Sequence, residues 1–77
     1  MVELRAPVGK FRVVDVDLFS HEDWVEGDFD TREAAFLVAD ENNKSRTGEM
    51  DTVYYVYDDK KAKIRDHTDV GELGINP

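Results

Sequence analysis

The sequence predicts one small α+β domain of order β-(β)-α-β-β, with one helix packed on one face of a three- to four-stranded antiparallel or mixed sheet. Three observations predict it. Lys10 to Phe19 alternates with a two-residue period. Phe29 to Asn43 opens with a helix-start signal and continues into an apolar run. Met50 to Tyr57 is crowded with β-formers and is followed by a polar turn. A chain of 77 residues allows a single domain. Domains of this size bury only about 60% of the surface their unfolded chains expose, so a deep enclosed site is hard to build.

Residues 1–9 form a lead-in punctuated by Pro7 and Gly9. From Lys10 to Phe19, Val14, Val16 and Leu18 fall on one face, with Val13, Asp15, Asp17 and Phe19 on the other. One apolar face and one carboxylate face predict a half-buried strand. Ser20-His21-Glu22-Asp23 is turn-like. Trp24-Val25-Glu26 is a short second strand stopped by Gly27, and the bulk of Trp24 suits a small core.

The helix is expected from Thr31 to about Asn43. Asp30 and Glu33 have the spacing of a capping box, with Phe29 placed to staple the first turn. Asn42, Asn43 and Gly48 are stop signals. The run Ala34 to Ala39 is apolar all round, which leaves two orientations open. A buried stripe through Ala35, Val38, Ala39 and Asn42 turns Leu37 outward. One through Ala34, Leu37, Val38 and Glu41 turns Phe36 outward. Met50 to Tyr57 is the next strand, Asp58 to Lys61 the turn, and Ala62 to Arg65 the return strand. The domain thus spans residues 10–66, and residues 67–77 read as a flexible tail.

Charge narrows the function. The formal net charge is −8, which argues against nucleic acid and anionic membranes, since both draw on Lys and Arg. Without cysteine there are no disulfides or thiolate metal sites. The longest apolar run falls far short of the roughly 20 residues of a membrane span. The first residues lack the basic and apolar regions of a signal peptide, which predicts a cytoplasmic protein.

From Val13 to Thr31 the carboxylates Asp15, Asp17, Glu22, Asp23, Glu26, Asp28 and Asp30 stand without a Lys or Arg, while the hairpin gathers Lys60, Lys61, Lys63 and Arg65. Asp15 and Asp17, roughly 7 Å apart along a strand, are expected to pair with hairpin lysines or be solvated. Arg32 stands where a calcium loop needs an oxygen ligand, so no metal site is expected. His21 and His67 read as surface histidines, and Tyr54, Tyr55 and Tyr57 as strand packing. No catalytic residue and no cofactor are expected.

Two resemblances accompany these readings. Arg12 to Phe19, Asp23 to Thr31 and Tyr55 to Lys60 resemble a group of short bacterial proteins without an established activity, so no functional residue carries over. Similar sequences place glycine after the Asp-Asp-Lys turn, where this chain has Lys61. If that position is left-handed, lysine costs about 1 kcal/mol. Gly27 to Ala35 resembles the strand-to-helix passage of HicB-like antitoxins, although the hairpin after the helix departs from that pattern.

The reading that follows is a small acidic interaction module, a monomer or weak homodimer, that binds a basic protein partner. An antitoxin-like inhibitor of a basic toxin is one version. Its contact residues are Asp23, Glu26 and Asp28 with Phe36 or Leu37, whichever faces outward. The alternative is a divalent-cation or small-ligand binder; an enzyme is not expected.

Overall fold

The computed structural model describes residues 2–45 and 52–69. Its elements are β1 (Phe11–Asp17), β2 (Asp23–Phe29), α1 (Arg32–Ser45), β3 (Thr52–Tyr57) and β4 (Lys63–Arg65). The sheet order is β2-β1-β3-β4, and every pairing is antiparallel. The fold is α+β, and the sheet is antiparallel rather than mixed.

β1 is the strand on which the others are built. It pairs with β2 on one side and β3 on the other. Val13, on the helix face, packs with Val56, Ala35 and Ala39, flanked by Phe11, Phe29, Phe36, Val38, Tyr54 and Ile64. Val14 and Val53, on the opposite face by strand alternation, are also fully buried. β1 is therefore buried on both faces, not half-buried.

The lead-in supplies part of the second layer. Val2 N–H donates to Asp23 Oδ1 (3.1 Å), Arg12 Nη1 donates to the Glu3 carbonyl (2.8 Å), and Ala6 N–H donates to the Asp58 carbonyl (3.1 Å). Residues 2–6 are thus strapped to β2, β1 and the end of β3 in turn.

β2 runs through Gly27 instead of stopping there. Val13 pairs with Gly27 and Val14 with Val25, so Glu26 is the extra residue of a β-bulge. A Cβ at Gly27 would lie 3.3 Å from the Phe29 ring, so glycine admits that ring.

The helix begins one residue later than its capping signal predicts. Ala34 N–H donates to Thr31 Oγ1 (3.1 Å) and Ala35 N–H to the Thr31 carbonyl, so Thr31 is the N-cap. Asp30 instead pairs with Lys10 from the start of β1. The long-range ion pair takes the carboxylate that the local pattern assigns to the cap.

α1 packs through Ala35, Ala39 and Asn43, spaced four apart on one face. Small side chains let the helix axis come close to the sheet. Of the two possible stripes, the helix uses the one that turns Leu37 outward, where it is 61% exposed. Phe36 packs against the core beneath the Arg65 guanidinium, 5.0 Å away. Arg65 also donates to both Asp40 oxygens (3.0 and 2.6 Å), which ties β4 to the helix.

Asn43 does not stop the helix. Its amide accepts from Tyr54 N–H (2.9 Å) and donates to the Tyr54 carbonyl (3.0 Å). β4 ends at Arg65, opposite Val56, so the Asn43 side chain serves the stretch of β3 that β4 does not reach. The stop signal at Gly48 lies outside the described residues, as does the tail from residue 70 onward. Residues 67–69 form a helical turn, with the His67 ring edge-on to Tyr55 at 5.4 Å. His67 is half-buried against that ring rather than a surface histidine.

The β3–β4 turn carries Lys61 in the left-handed region, φ 66°. Asp58 Oδ1 accepts from Lys60 and Ala62 N–H (both 2.9 Å), which holds the turn and keeps the Asp58 carboxyl below its ordinary pKa.

Two outcomes follow for chemical denaturation. Thr31→Ala should destabilise the domain by about 0.5–2 kcal/mol and Asp30→Ala by clearly less. A larger loss from Asp30→Ala would move the cap back to Asp30. Lys61→Gly should stabilise by about 1 kcal/mol, because glycine tolerates positive φ. An unchanged or lower midpoint would remove the strain assigned to that turn.

Candidate functional site

The acidic stretch is sorted by the fold into different tasks. Asp28 is held by Arg12 through two hydrogen bonds (2.7 and 3.0 Å), which lower its carboxyl pKa. Asp17 accepts from Phe19 N–H (2.9 Å) and Ser20 N–H (3.2 Å) in the β1–β2 turn, again lowering its pKa. Asp15 and Asp17 do not pair with the hairpin lysines: Lys63 pairs with Asp66 (3.1 Å) and Lys60 with Asp59 (3.7 Å). Glu22 and Glu26 are exposed, and neither has an ion-pair partner among the described residues. Of the carboxylates read from the sequence as partner contacts, Glu26 keeps that character, Asp23 also anchors Val2, and Asp28 is engaged by Arg12.

These groups lie on the edge strand. β2, seven residues long, pairs only with β1 among the described residues, which makes it an edge strand whose outer backbone meets no further strand among them. Trp24, expected in the core, is 42% exposed on this strand. The adjoining turn exposes Leu18 and, at 82%, Phe19. Phe36 and Leu37 belong to the helix, not to this edge. Phe36 is in the core and only Leu37 is outward.

Behind the edge is the group the alternating pattern does not reveal. Asp15 is only 2% exposed, on the helix face of β1 between Trp24 of β2 and Tyr54 of β3. Its Oδ1 is buried without a hydrogen-bond partner. Burial, and then the neighbouring Glu26 carboxyl, push its pKa from the ordinary 3.8 up to about 7, against a smaller opposing effect of the Trp24 side chain. Burial raises the Tyr54 hydroxyl pKa, and the charges of Asp15 and Glu26 add to it. The sequence signal that marks this cluster is the bulge, which a glycine inside a strand can indicate: Gly27 follows the extra residue Glu26.

Among the described residues, no group of three or more His, Asp or Glu is placed to hold a metal ion. No helix among them is long and apolar enough to cross a membrane. The chain matches no protein-family model, no curated protein and no solved structure.

The raised pKa has a definite consequence for stability. Between pH 3.8 and about 7 the folded chain keeps an Asp15 proton that the unfolded chain has lost. Stability from this group therefore falls as pH rises through that window, and the full penalty, on the order of a few kcal/mol, is present above it. Asp28 acts in the opposite sense, losing its contribution as pH falls through its lowered pKa. Asp15→Asn should raise the urea midpoint more at about pH 8 than at about pH 4. Equal shifts at both values would mean that Asp15 titrates normally in the folded chain.

Proposed function

We propose that this domain is a protein-interaction module whose β2 edge takes up an extended, basic segment of a partner protein. The observation that carries the reading is the open edge of β2, lined by Glu22, Asp23 and Glu26 with Trp24 partly exposed among them. Strand addition gives affinity through main-chain hydrogen bonds and specificity through alternate side chains. The carboxylates and the net charge of −8 select a basic strand and steer its approach. The same carboxylates repel a second copy, because β2 against β2 places like charges side by side. This favours a monomer that binds a different chain. Trp24 supplies the aromatic anchor, and an antitoxin-like inhibitor of a basic toxin fits this scheme as one version.

The test is a titration of the isotope-labelled chain, followed by backbone amide shifts, with a lysine-rich alternating octapeptide and its glutamate-rich counterpart. The basic peptide should give saturable shifts across residues 22–29 that weaken as salt approaches physiological strength. Trp24→Ala should weaken it by at least tenfold, about 1.4 kcal/mol or more. Equal binding of the acidic peptide, or shifts confined to the helix around Leu37, would refute docking at the edge.

A further inference from the structure

We propose that Asp15, Glu26 and Trp24 form a subsite for the ammonium or guanidinium group of one basic side chain of the segment docked on β2. The inference deepens the edge-docking reading and rests on it.

Asp15 stands directly across from Trp24, one strand in from the open edge. The bulge places the carboxyl of Glu26 beside that of Asp15. A strand added outside β2 would lie two strand spacings from β1, roughly 10 Å. The four-carbon stem of a lysine on its helix-side face spans most of that distance, and the Asp15 side chain reaches out for the remainder.

The chemistry of the three groups suits a cation. Asp15 Oδ1 is more than nine-tenths buried and has no partner, so its acceptor capacity is unused. Glu26 is exposed and can swing aside to admit a cation between the two carboxyls. Trp24 offers a partly exposed aromatic face, the best of the side-chain rings for a cation.

Among the described residues, no cation acts on Asp15. Arg12 is held by Asp28, Lys10 by Asp30, Lys63 by Asp66 and Arg65 by Asp40. The elements packed around Asp15 contribute Glu26 from β2 and the Tyr54 hydroxyl from β3. The packed face of α1 presents Ala35, Ala39 and Asn43, none of them charged.

Without a partner, Asp15 keeps its proton below about pH 7, because burial and Glu26 both disfavour its charge. An arriving ammonium reverses that balance: the proton leaves to solvent and the cation replaces it between the two carboxyls. Docking through this subsite therefore releases a proton and strengthens as pH rises through the neutral range.

Calorimetry of the full chain tests this with two basic octapeptides that differ only at a central lysine, replaced in one by norleucine. The lysine peptide should bind about tenfold tighter at about pH 8. That preference should vanish at about pH 5.5, and near pH 6.5 buffers of different ionisation heat should report release of about half a proton. Asp15→Asn should erase both the preference and the proton release while the norleucine peptide still binds. Equal affinity of the two peptides without proton release overturns the subsite and leaves edge docking intact. Failure of both peptides to shift any amide of residues 22–29 overturns the edge reading, and the subsite with it.

Discussion

β1 hydrogen-bonds to a strand on each side and is covered on each face, and the remaining elements are arranged around that double burial. On one face, Val13 meets alanines of α1; on the other, Val14 lies fully buried in the sheet that the N-terminal segment straps. A chain this short has few residues to spend on a core. Burying both sides of one strand draws the buried core from four valines and three alanines, with aromatic rings packed partly buried around it. The consequence is that Asp15, in the middle of this strand, is buried with them. A carboxyl there costs stability unless it is protonated or paired, and the domain provides Glu26 and Trp24 beside it rather than a base.

The other charged groups follow a consistent scheme. Arg12, Lys10 and Arg65 each bind a carboxylate distant in sequence and tie one element to another: β1 to β2, the start of β1 to the residue before the helix cap, and β4 to α1. Asn43 does the same for backbone groups of β3. These bases are thereby committed to holding the fold, and Glu26 of β2 has no ion-pair partner among the described residues. The edge strand, its bulge and the buried carboxyl behind it are adjacent because one residue, Glu26, belongs to all three.

Much of this was legible in the sequence, for physical reasons that differ by element. The helix, the β1 alternation and the β3–β4 hairpin show in local periodicity and turn chemistry, whereas the left-handed backbone at Lys61 is suggested only by resemblance to sequences that carry glycine there. The cap was misplaced by one residue because Lys10, twenty positions away, takes the Asp30 carboxylate. The lead-in carries no local signal of its place because its bonds are to Asp23, Arg12 and Asp58, none of them local. Asp15 looked solvent-facing because alternation distinguishes two faces without saying whether both are covered. Trp24 looked like core because burial tendency says nothing about an edge strand, and the acidic stretch looked unopposed because Arg12 and Lys10 lie just before it in the chain.

Asp15 is a buried carboxyl that burial and the neighbouring Glu26 hold in its protonated form to near neutrality. Side-chain carboxyl carbon shifts of the labelled chain, followed across the acid and neutral range, test it directly. A transition for Asp15 is expected near pH 7. A single Asp15 transition near 3.8, its ordinary value, would contradict it.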